Sequence, residues 1–403
     1  MDKYHKTMLP DGWKIVVAKN LTEVESLRPV WEKLQKEETY PVPNADIDRF
    51  ISVIEPLQDT VRPHIILLRY NGSSEAMAIG RVGMIELNCR IGYKTLFRPA
   101  LKGLSIVYGG LIGKFTDNAL CVLLQELRLV LSKREADVVV FNHLKIDSPI
   151  RQLVRKKTNV LCRHHFPSIE PHWQTIIPDS VELFYASIPS KHKREWGRLL
   201  RRLEAESACS VKVKCYQSAE DVDYIADVAS KISARTYKHT LNIGFTDDTL
   251  TRSLLTQSAK KGWLQAYIMD IGGEPSAFEF GIRYGTTFWP EYMGYDPKWA
   301  RFGPGMLLWI KVIEELCASA DIHKLDYGFG DADYKKKLGT NYWPEASVLI
   351  YAPRMYPIFI DMLQSFMAAI SIGLGYVLKK IGLVGWIKRN WRKMLQTKES
   401  KSV

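Results

Sequence analysis

The sequence has few cysteines, and they are not arranged in pairs. Six are scattered through 403 residues without a Cys-x-x-Cys motif, which excludes a disulfide scaffold and gives no sign of a zinc site. No apolar core follows the first residues, Met1–Met8, so we expect no secretory signal. These absences favour a cytoplasmic protein.

Acidic residues are also in deficit, with 44 against 56 basic ones and a formal net charge of +12. This balance favours anionic partners such as phosphorylated cofactors or a membrane surface. Nucleic acid is not an expected partner, because the basic segments lack interleaved aromatic residues on a recognisable module. The length suggests two domains and an appendage, which we place at 1–178, 179–353 and 354–403.

Two apparent ligand motifs carry no chemistry. His164, His165 and His172 have no Asp, Glu or Cys at ligand spacing, so we predict structural histidines and no metal. The segment Tyr108–Lys114 resembles a phosphate loop but is one residue short, and Phe115 stands where a magnesium-binding Ser or Thr belongs. We therefore exclude a P-loop.

The N-terminal half begins as a strand followed by helical spacing. A strand is predicted from Trp13, a helix over 21–34, and a hairpin at Asn71-Gly72, because Asn-Gly supplies the positive φ angles of a tight turn. A helix over 117–133 and a buried strand over 137–141 follow.

A helix at 189–204 opens the second half, and its two faces differ. At about 100° per residue its large apolar side chains share one side. The other side is basic: Lys191, Arg194, Arg198, Arg201 and Arg202.

Strands and helices then alternate to residue 352. The strands are predicted at 210–216, 264–271, 276–284, 288–295, 324–327 and 347–352, and the helices at 219–240, 246–261 and 307–320. This order mixes an antiparallel hairpin with β-α-β units, so we expect an α/β (α+β) fold with mixed, mostly antiparallel sheets flanked by helices.

The C-terminal segment is apolar and then basic. Residues 358–378 are almost all apolar, and lysines and arginines flank apolar residues at helical spacing up to 395. A membrane span, a packed helical appendage and a helix lying in the membrane interface are all open, and the basic amphipathic pattern favours the last. We expect surface contact through 355–395 at the inner face of the membrane.

Polar residues and glycines concentrate in the stretch Lys324–Gly339, which follows the glycine turn Arg301–Gly305. A buried strand ends at Asp326-Tyr327, and Gly328 and Gly330 then allow a sharp turn into a helix. The earlier turn stands between a strand and a helix, where free backbone N–H groups bind anions. These two segments are the leading candidates for the chemistry.

The C-terminal half resembles the GNAT acyltransferase superfamily, and specifically its tandem-domain branch, which includes cellulose-biosynthesis acetyltransferase-like proteins and Fem-type peptidoglycan transferases. The matching features are the basic helix, Thr236-Tyr-Lys238, the segment Gly294–Gly305, and Asp326–Lys335. Tyr108-Gly-Gly is similar to a strand of Fem-like N-terminal domains. The resemblance implies two tandem GNAT-like domains, the first one degenerate, and a C-terminal helical appendage.

The resemblance also implies site roles. The turn would bind the pyrophosphate of acetyl-CoA or another acyl-CoA through Arg301, Phe302, Gly303, Gly305 and Met306. Tyr334 would protonate the departing thiolate, which a phenol of ordinary pKa about 10 can do.

The general base stays open among three acids, Glu279, Glu291 and Asp331, of which we favour the last two. Glu279, together with Lys238 and Lys335, is also a candidate contact of the acceptor.

We expect an N- or O-acyltransferase that acts by direct attack, because no Cys or Ser stands in a nucleophile motif. By family analogy, the acceptor is an amine or hydroxyl of a sugar or cell-envelope (polysaccharide) precursor. Two alternatives stay open. One is a Fem-type transferase that uses aminoacyl-tRNA, and the other is a non-catalytic GNAT-like scaffold held at a membrane.

Overall fold

A computed structural model gives the structure of the chain and describes residues 11–92, 94–208, 210–236 and 244–380. Within these residues the chain divides into two compact units. Unit 1 comprises 11–170 and 344–380, and unit 2 comprises 171–343. The strand after residue 170 thus belongs to unit 2, and the segment after residue 343 belongs to unit 1, which the predicted boundaries at 178 and 353 do not anticipate.

Unit 1 is built on a sheet whose strand order is β1-β2-β3-β6-β7-β14, in which only β6 and β7 are parallel. A separate hairpin of β4 and β5 lies outside it. The strands are β1 (Trp13–Ala18), β2 (Arg62–Tyr70), β3 (Ser73–Glu86), β4 (Cys89–Ile91), β5 (Lys94–Phe97), β6 (Ala100–Gly113), β7 (Val138–Lys145) and β14 (Asn341–Tyr351), the last belonging to unit 1 from Pro344 onward.

Helices flank this sheet, and those over 47–54 and 149–157 were not predicted from the sequence. The helix expected over 21–34 is two helices, because Pro29 has no backbone N–H to continue the first and suits the opening turn of the second. The predicted hairpin turn is present, with φ of 46° at Asn71 and 85° at Gly72. The helices are α1 (Leu21–Ser26), α2 (Arg28–Lys36), α3 (Ile47–Ile54), α4 (Asp117–Ser132) and α5 (Pro149–Lys157).

Unit 2 repeats the same sheet plan. Its strand order is β9-β10-β11-β12-β13-β8, and only β12 and β13 are parallel. In each unit, four strands pair antiparallel in a row, the fourth pairs parallel with a fifth, and the fifth pairs antiparallel with a sixth. The strands are β8 (Glu170–Ile176), β9 (Lys212–Tyr216), β10 (Leu264–Ile271), β11 (Glu274–Tyr284), β12 (Thr287–Tyr295) and β13 (Lys324–Phe329).

The helices of unit 2 lie on both faces of this sheet. The predicted basic helix is confirmed as α7, in which Trp196 and Leu203 are buried and the arginines of the other face are exposed. The helix predicted over 219–240 ends at Ala234, and 237–243 lie outside the described residues. The helices are α6 (Val181–Ser187), α7 (Ser190–Ser207), α8 (Val222–Ala234), α9 (Thr249–Lys260), α10 (Pro304–Ala318) and α11 (Asp333–Leu338).

The C-terminal helix α12 (Met355–Lys380) belongs to unit 1. Its inner face buries Ile360, Met367 and Asp361, and the Asp361 carboxylate lies 2.9 Å from Nδ1 of His164. The outer face leaves Phe359 and Phe366 59% and 65% exposed. By length and composition, Met355–Leu374 of this helix qualifies as a membrane span, and 22% of that window is buried. The predicted basic segment from 381 on lies outside the described residues.

Candidate active site

The parallel pair at the centre of unit 2 separates along its length. β12 and β13 pair only at Thr287↔Lys324 and Phe288↔Leu325, after which β12 continues to Tyr295 and β13 to Phe329. We call the space between the diverging strands the strand cleft. Met293 and Tyr334 pack against the same buried cluster as Tyr327, on one face of this region. The cleft gives an extended ligand access to the middle of a sheet.

The glycine turn lies at the end of β12, as the sequence predicts. A 3-10 helix, Pro297–Phe302, leads into Gly303, whose φ of 64° is the left-handed conformation that glycine adopts without strain. Gly303 is the N-cap of α10, and Gly305 lies in its first turn. A Cβ on Gly305 would lie 3.3 Å from the Tyr295 ring. The two glycines therefore bring the N-terminus of a helix, with the positive end of its dipole, against the end of a strand.

Two guanidinium groups flank this helix N-terminus. Arg301 is 63% exposed and forms a surface ion pair with Glu206, and its guanidinium lies 4.8 Å from the centroid of the buried Phe302 ring. Arg202 of α7 approaches the same ring at 5.8 Å. An exposed ion pair contributes only about 0–1 kcal/mol, so phosphate oxygens can compete for Arg301. The Phe302 ring thus contacts the guanidinium groups of two arginines. Met306 lies in the first turn of the helix that follows.

Tyr334 of α11 is half-buried beside the strand cleft. Its ring stacks on Trp309 with centroids 5.7 Å apart and meets the edge of Tyr327 at 5.9 Å. Burial raises the pKa of the Tyr334 phenol above its ordinary value, and the negative charge of Glu279 raises it further. The hydroxyl therefore stays protonated across the neutral range and is a hydrogen donor there.

The three candidate bases lie in different surroundings. Glu279, on β11, is 2% exposed, and its charge also raises the pKa values of Tyr327 and Tyr267, both of which are raised mainly by burial. Glu291 is exposed and is the extra residue of a β-bulge, since the register passes from Tyr292 to Pro290 opposite β11. Of the three, Glu279 is the buried carboxylate close to the tyrosines.

Asp331 and Lys335 follow β13 and face other partners. The Asp331 carboxylate is exposed and lies 2.7 Å from Nζ of Lys336, which raises the pKa of that lysine. Nζ of Lys335 is buried and donates to the carbonyl oxygens of Tyr327 and Phe329, each at 2.7 Å. The geometry gives Lys335 a structural role at the end of β13, and its contact with the acceptor stays a prediction.

A buried His–Asp pair was not predicted. Nε2 of His172 lies 2.7 Å from Oδ1 of Asp326, which also accepts from the backbone N–H of Gly328 at 2.8 Å. The His172 ring stacks on Trp343, with centroids 4.4 Å apart. No local pattern joins residues so distant in sequence. This pair fixes β8 to β13 and orients the turn that leads to Tyr334.

A cavity of about 620 Å³ lies beside the segment that precedes the glycine turn. The Arg235–Asp296 ion pair borders it, with nitrogen and oxygen 2.5 Å apart. Its other charged residues are of both signs: Glu206, Lys231, Glu274 and Lys298, with Trp299 as an aromatic wall. Lys238, the predicted acceptor contact, lies outside the described residues.

The histidines are engaged by protein groups. His164 pairs with Asp361, Nε2 of His165 contacts the carbonyl oxygen of Val160 at 2.8 Å, and His172 pairs with Asp326. In the described parts of the chain, no three His, Cys, Asp or Glu side chains come together as a metal-binding group.

Comparisons with known proteins found a domain match within unit 2 and solved structures that share the fold of most of the chain. Residues 190–336, from the start of α7 into α11, match the model of the acetyltransferase (GNAT) domain. Among solved structures the chain is similar to FemX at 9% identity, with a TM-score of 0.56, covering 83% of this chain and 98% of that one. It is also similar to a tandem GNAT protein from the clavulanic acid biosynthesis pathway, at 10% identity, with a TM-score of 0.50, covering 85% and 100%.

At these identities the structural likeness shows the fold alone. No curated protein matches the chain. The GNAT fold implies an acyl-CoA co-substrate, and the helix N-terminus flanked by Arg202 and Arg301 fits a pyrophosphate chemically. Residues 190–336 of unit 2 are thus a GNAT acetyltransferase domain by their match, and the chain as a whole shares its fold with FemX and with a tandem GNAT protein.

Proposed function

We propose that the protein transfers an acetyl or longer acyl group from acyl-CoA to an amine or hydroxyl of a sugar or cell-envelope precursor. The strand cleft carries this proposal, because a helix N-terminus suited to an anion lies on one side of it and the half-buried Tyr334 on the other. In this arrangement Arg301, Gly303 and Gly305 hold the pyrophosphate, and Phe302 and Met306 shape the turn around it.

The transfer is a direct attack. The acceptor nitrogen or oxygen attacks the thioester carbonyl carbon, a C–N or C–O bond forms, and the C–S bond breaks. Glu279 takes the proton of the acceptor, directly or through a water, because it is the buried carboxylate whose charge acts on Tyr334. Tyr334 donates a hydrogen bond, and then its proton, to the departing thiolate.

The exposed acids have secondary places in the proposal. Glu291, at the bulge, and Asp331, paired with Lys336, are proposed as orienting groups or as alternatives to Glu279. Three variants, Glu279→Gln, Glu291→Gln and Asp331→Asn, test which acid is the base. If acyl transfer is lost in Glu291→Gln or Asp331→Asn but not in Glu279→Gln, the base is the residue whose variant is inactive.

The acceptor is proposed to enter the cavity bordered by Arg235 and Asp296. Charges of both signs and an aromatic wall suit a polar acceptor such as a sugar better than an acyl chain. Arg235 also leads directly into the segment that contains Lys238. The proposal places the protein in the cytoplasm, with α12 contacting the inner face of the membrane, because the outer side of this helix is apolar and exposed.

The test is transfer of a labelled acyl group. The full-length protein is incubated with isotopically labelled acetyl-CoA and a metabolite or polysaccharide extract, and products are identified by mass spectrometry. We expect label on a sugar or envelope precursor together with release of free thiol. Absence of both a thermal shift and thiol release with acetyl-CoA and longer acyl-CoA would refute the proposal.

A second donor, aminoacyl-tRNA, is favoured by the exposed basic face of α7, which suits a polyanion. Tight tRNA binding without any response to acyl-CoA would support this Fem-type reaction instead. A non-catalytic scaffold predicts that Tyr334→Phe leaves function unchanged while deletion of the segment after residue 354 abolishes it.

A further inference from the structure

Unit 1 contains a strongly basic cavity that the acyl-transfer reaction does not use. Its volume is about 250 Å³, and its walls are α5, the segment Arg163–Pro167 and β14. Three arginines and two histidines are among the lining residues, and none of the lining residues is an acid. They are Arg151, Val154, Arg155, Arg163, His164, His165, Pro167, Ser347, Val348 and Leu349.

One guanidinium in this cavity is incompletely paired. Nη1 of Arg151 is buried and has no hydrogen-bond partner among the described residues. A buried charged nitrogen without an acceptor is unfavourable, and native proteins seldom retain one without a reason. Burial lowers the pKa of Arg151, and the neighbouring charge of Arg155 lowers it further. The two arginines are four residues apart on one helix face, where like charges repel.

The walls are held in place independently of any ligand. The N–H of His164 donates to the carbonyl of Leu349 at 3.2 Å, and Arg163 forms an antiparallel bridge with Ile350. The Arg163 guanidinium donates to the carbonyl of Arg155 at the end of α5. His164 is fixed by Asp361. The walls of the cavity and the side chains of Arg163 and His164 are thus held in place, while Arg155 lines the cavity from the exposed side of α5.

The size of the cavity limits its occupant. Ligand pockets for drug-sized molecules are about 300–1,000 Å³, so this one suits a single anionic group with a few attached atoms. Planar guanidinium groups favour phosphate and carboxylate oxygens, and several cations together favour the doubly charged phosphate. We propose that this cavity is a binding site for the phosphoryl group of a phosphate ester, formed by Arg151, Arg155 and Arg163.

Two sources carry such a group, a soluble phosphorylated compound and the headgroup of an anionic phospholipid. The lipid source has a structural basis, because Val160 and Leu161, next to the wall segment, are 56% and 55% exposed. The experiment therefore has a soluble arm and a membrane arm, both with the full-length protein.

In the soluble arm, the binding of inorganic phosphate is measured by calorimetry and thermal shift at constant ionic strength. We expect Arg155→Gln to weaken binding at least tenfold, while Lys156→Gln, which removes a charge from the same helix outside the cavity, changes it less than twofold. Arg151→Met should abolish the phosphate-induced rise in Tm without lowering the Tm measured in chloride. Arg155 is exposed, so its variant decides the result even if Arg151→Met does not fold.

In the membrane arm, the same proteins are sedimented with vesicles of phosphatidylcholine with and without phosphatidic acid, whose phosphomonoester can carry two negative charges. Loss of vesicle binding in Arg155→Gln but not in Lys156→Gln identifies the lipid headgroup as the source. Unchanged vesicle binding with weakened phosphate binding identifies a soluble ester. Equal effects of the two glutamine variants in both arms, or no phosphate binding by the wild type together with unchanged vesicle binding, would overturn the proposal.

Discussion

The variant Tyr334→Phe removes one hydroxyl group and distinguishes a catalytic role of Tyr334 from a structural one. The ring of Tyr334 stacks on Trp309 at an interplanar angle of 13° and contacts Tyr327, and phenylalanine keeps both contacts. Since these ring contacts remain, we expect the free energy of unfolding to change by less than about 0.5 kcal/mol.

The expected loss of activity is much larger. General acid catalysis contributes about 10²–10⁴-fold, so kcat should fall by that factor, which corresponds to about 3–5 kcal/mol of transition-state stabilisation. KM for acyl-CoA should stay unchanged, because the phenol acts on the departing sulfur and the pyrophosphate site lies at Arg301–Gly305. Because burial and Glu279 raise the pKa of the phenol, the wild-type rate should not fall on the alkaline side below about pH 10.

The assay is thiol release from acyl-CoA with the acceptor identified by mass spectrometry, measured from pH 6 to about 10. Tyr342→Phe is the matched control, since it removes a tyrosine hydroxyl of unit 2 and keeps a ring contact, with Trp173 at 5.0 Å. A kcat for Tyr334→Phe within about threefold of the control, with unchanged unfolding, would refute the role of Tyr334 as the acid.

Three further outcomes follow from the same geometry. Glu279→Gln should lower the pKa of Tyr334, seen by ultraviolet titration, because a neighbouring negative charge disappears, and should reduce kcat about 10²-fold; an unchanged kcat would exclude it as the base. Arg301→Gln should raise KM for acyl-CoA several-fold, whereas the control Arg283→Gln, also an exposed arginine in a surface ion pair, should not. Lys335→Met should lower the free energy of unfolding in urea by about 1–3 kcal/mol, because buried carbonyl groups lose their donor; a value near zero would contradict the structural role.

Local patterns predicted the elements that depend on neighbours in sequence. The Asn71-Gly72 hairpin, the basic helix α7 and the turn at Gly303 follow from φ preferences and helical spacing, and the structure has all three. The same reasoning missed the break at Pro29, where one proline outweighed an unbroken apolar periodicity.

Contacts between residues that are far apart in the sequence were not predicted. The burial of Glu279 depends on its place in the middle of β11, and the contact between His172 and Asp326 joins strands that are far apart in the chain. Likewise, the sequence suggested an acceptor contact for Lys335 but did not predict that its ammonium group donates to backbone carbonyl groups. The spacing of residues along the sequence predicts which side chains share a helix face, but it does not predict which backbone carbonyl groups those side chains contact.

The duplicated sheet plan explains why the donor site is expected in unit 2 alone. In both units a helix follows the first strand of the parallel pair, but the two helix N-termini differ. In α4 the Thr116 side chain accepts from the N–H of Ala119, and Asp117 adds a negative charge to the first turn. The threonine occupies an N–H group that could bind a pyrophosphate, and the aspartate repels the negative charge of a pyrophosphate. In α10 the cap is Gly303, without a side chain, and arginines stand beside it. We therefore propose two different anion sites on a common fold, one at the N-terminus of α10 and one beside α5, of which the first belongs to the unit that contains Tyr334 and the buried Glu279.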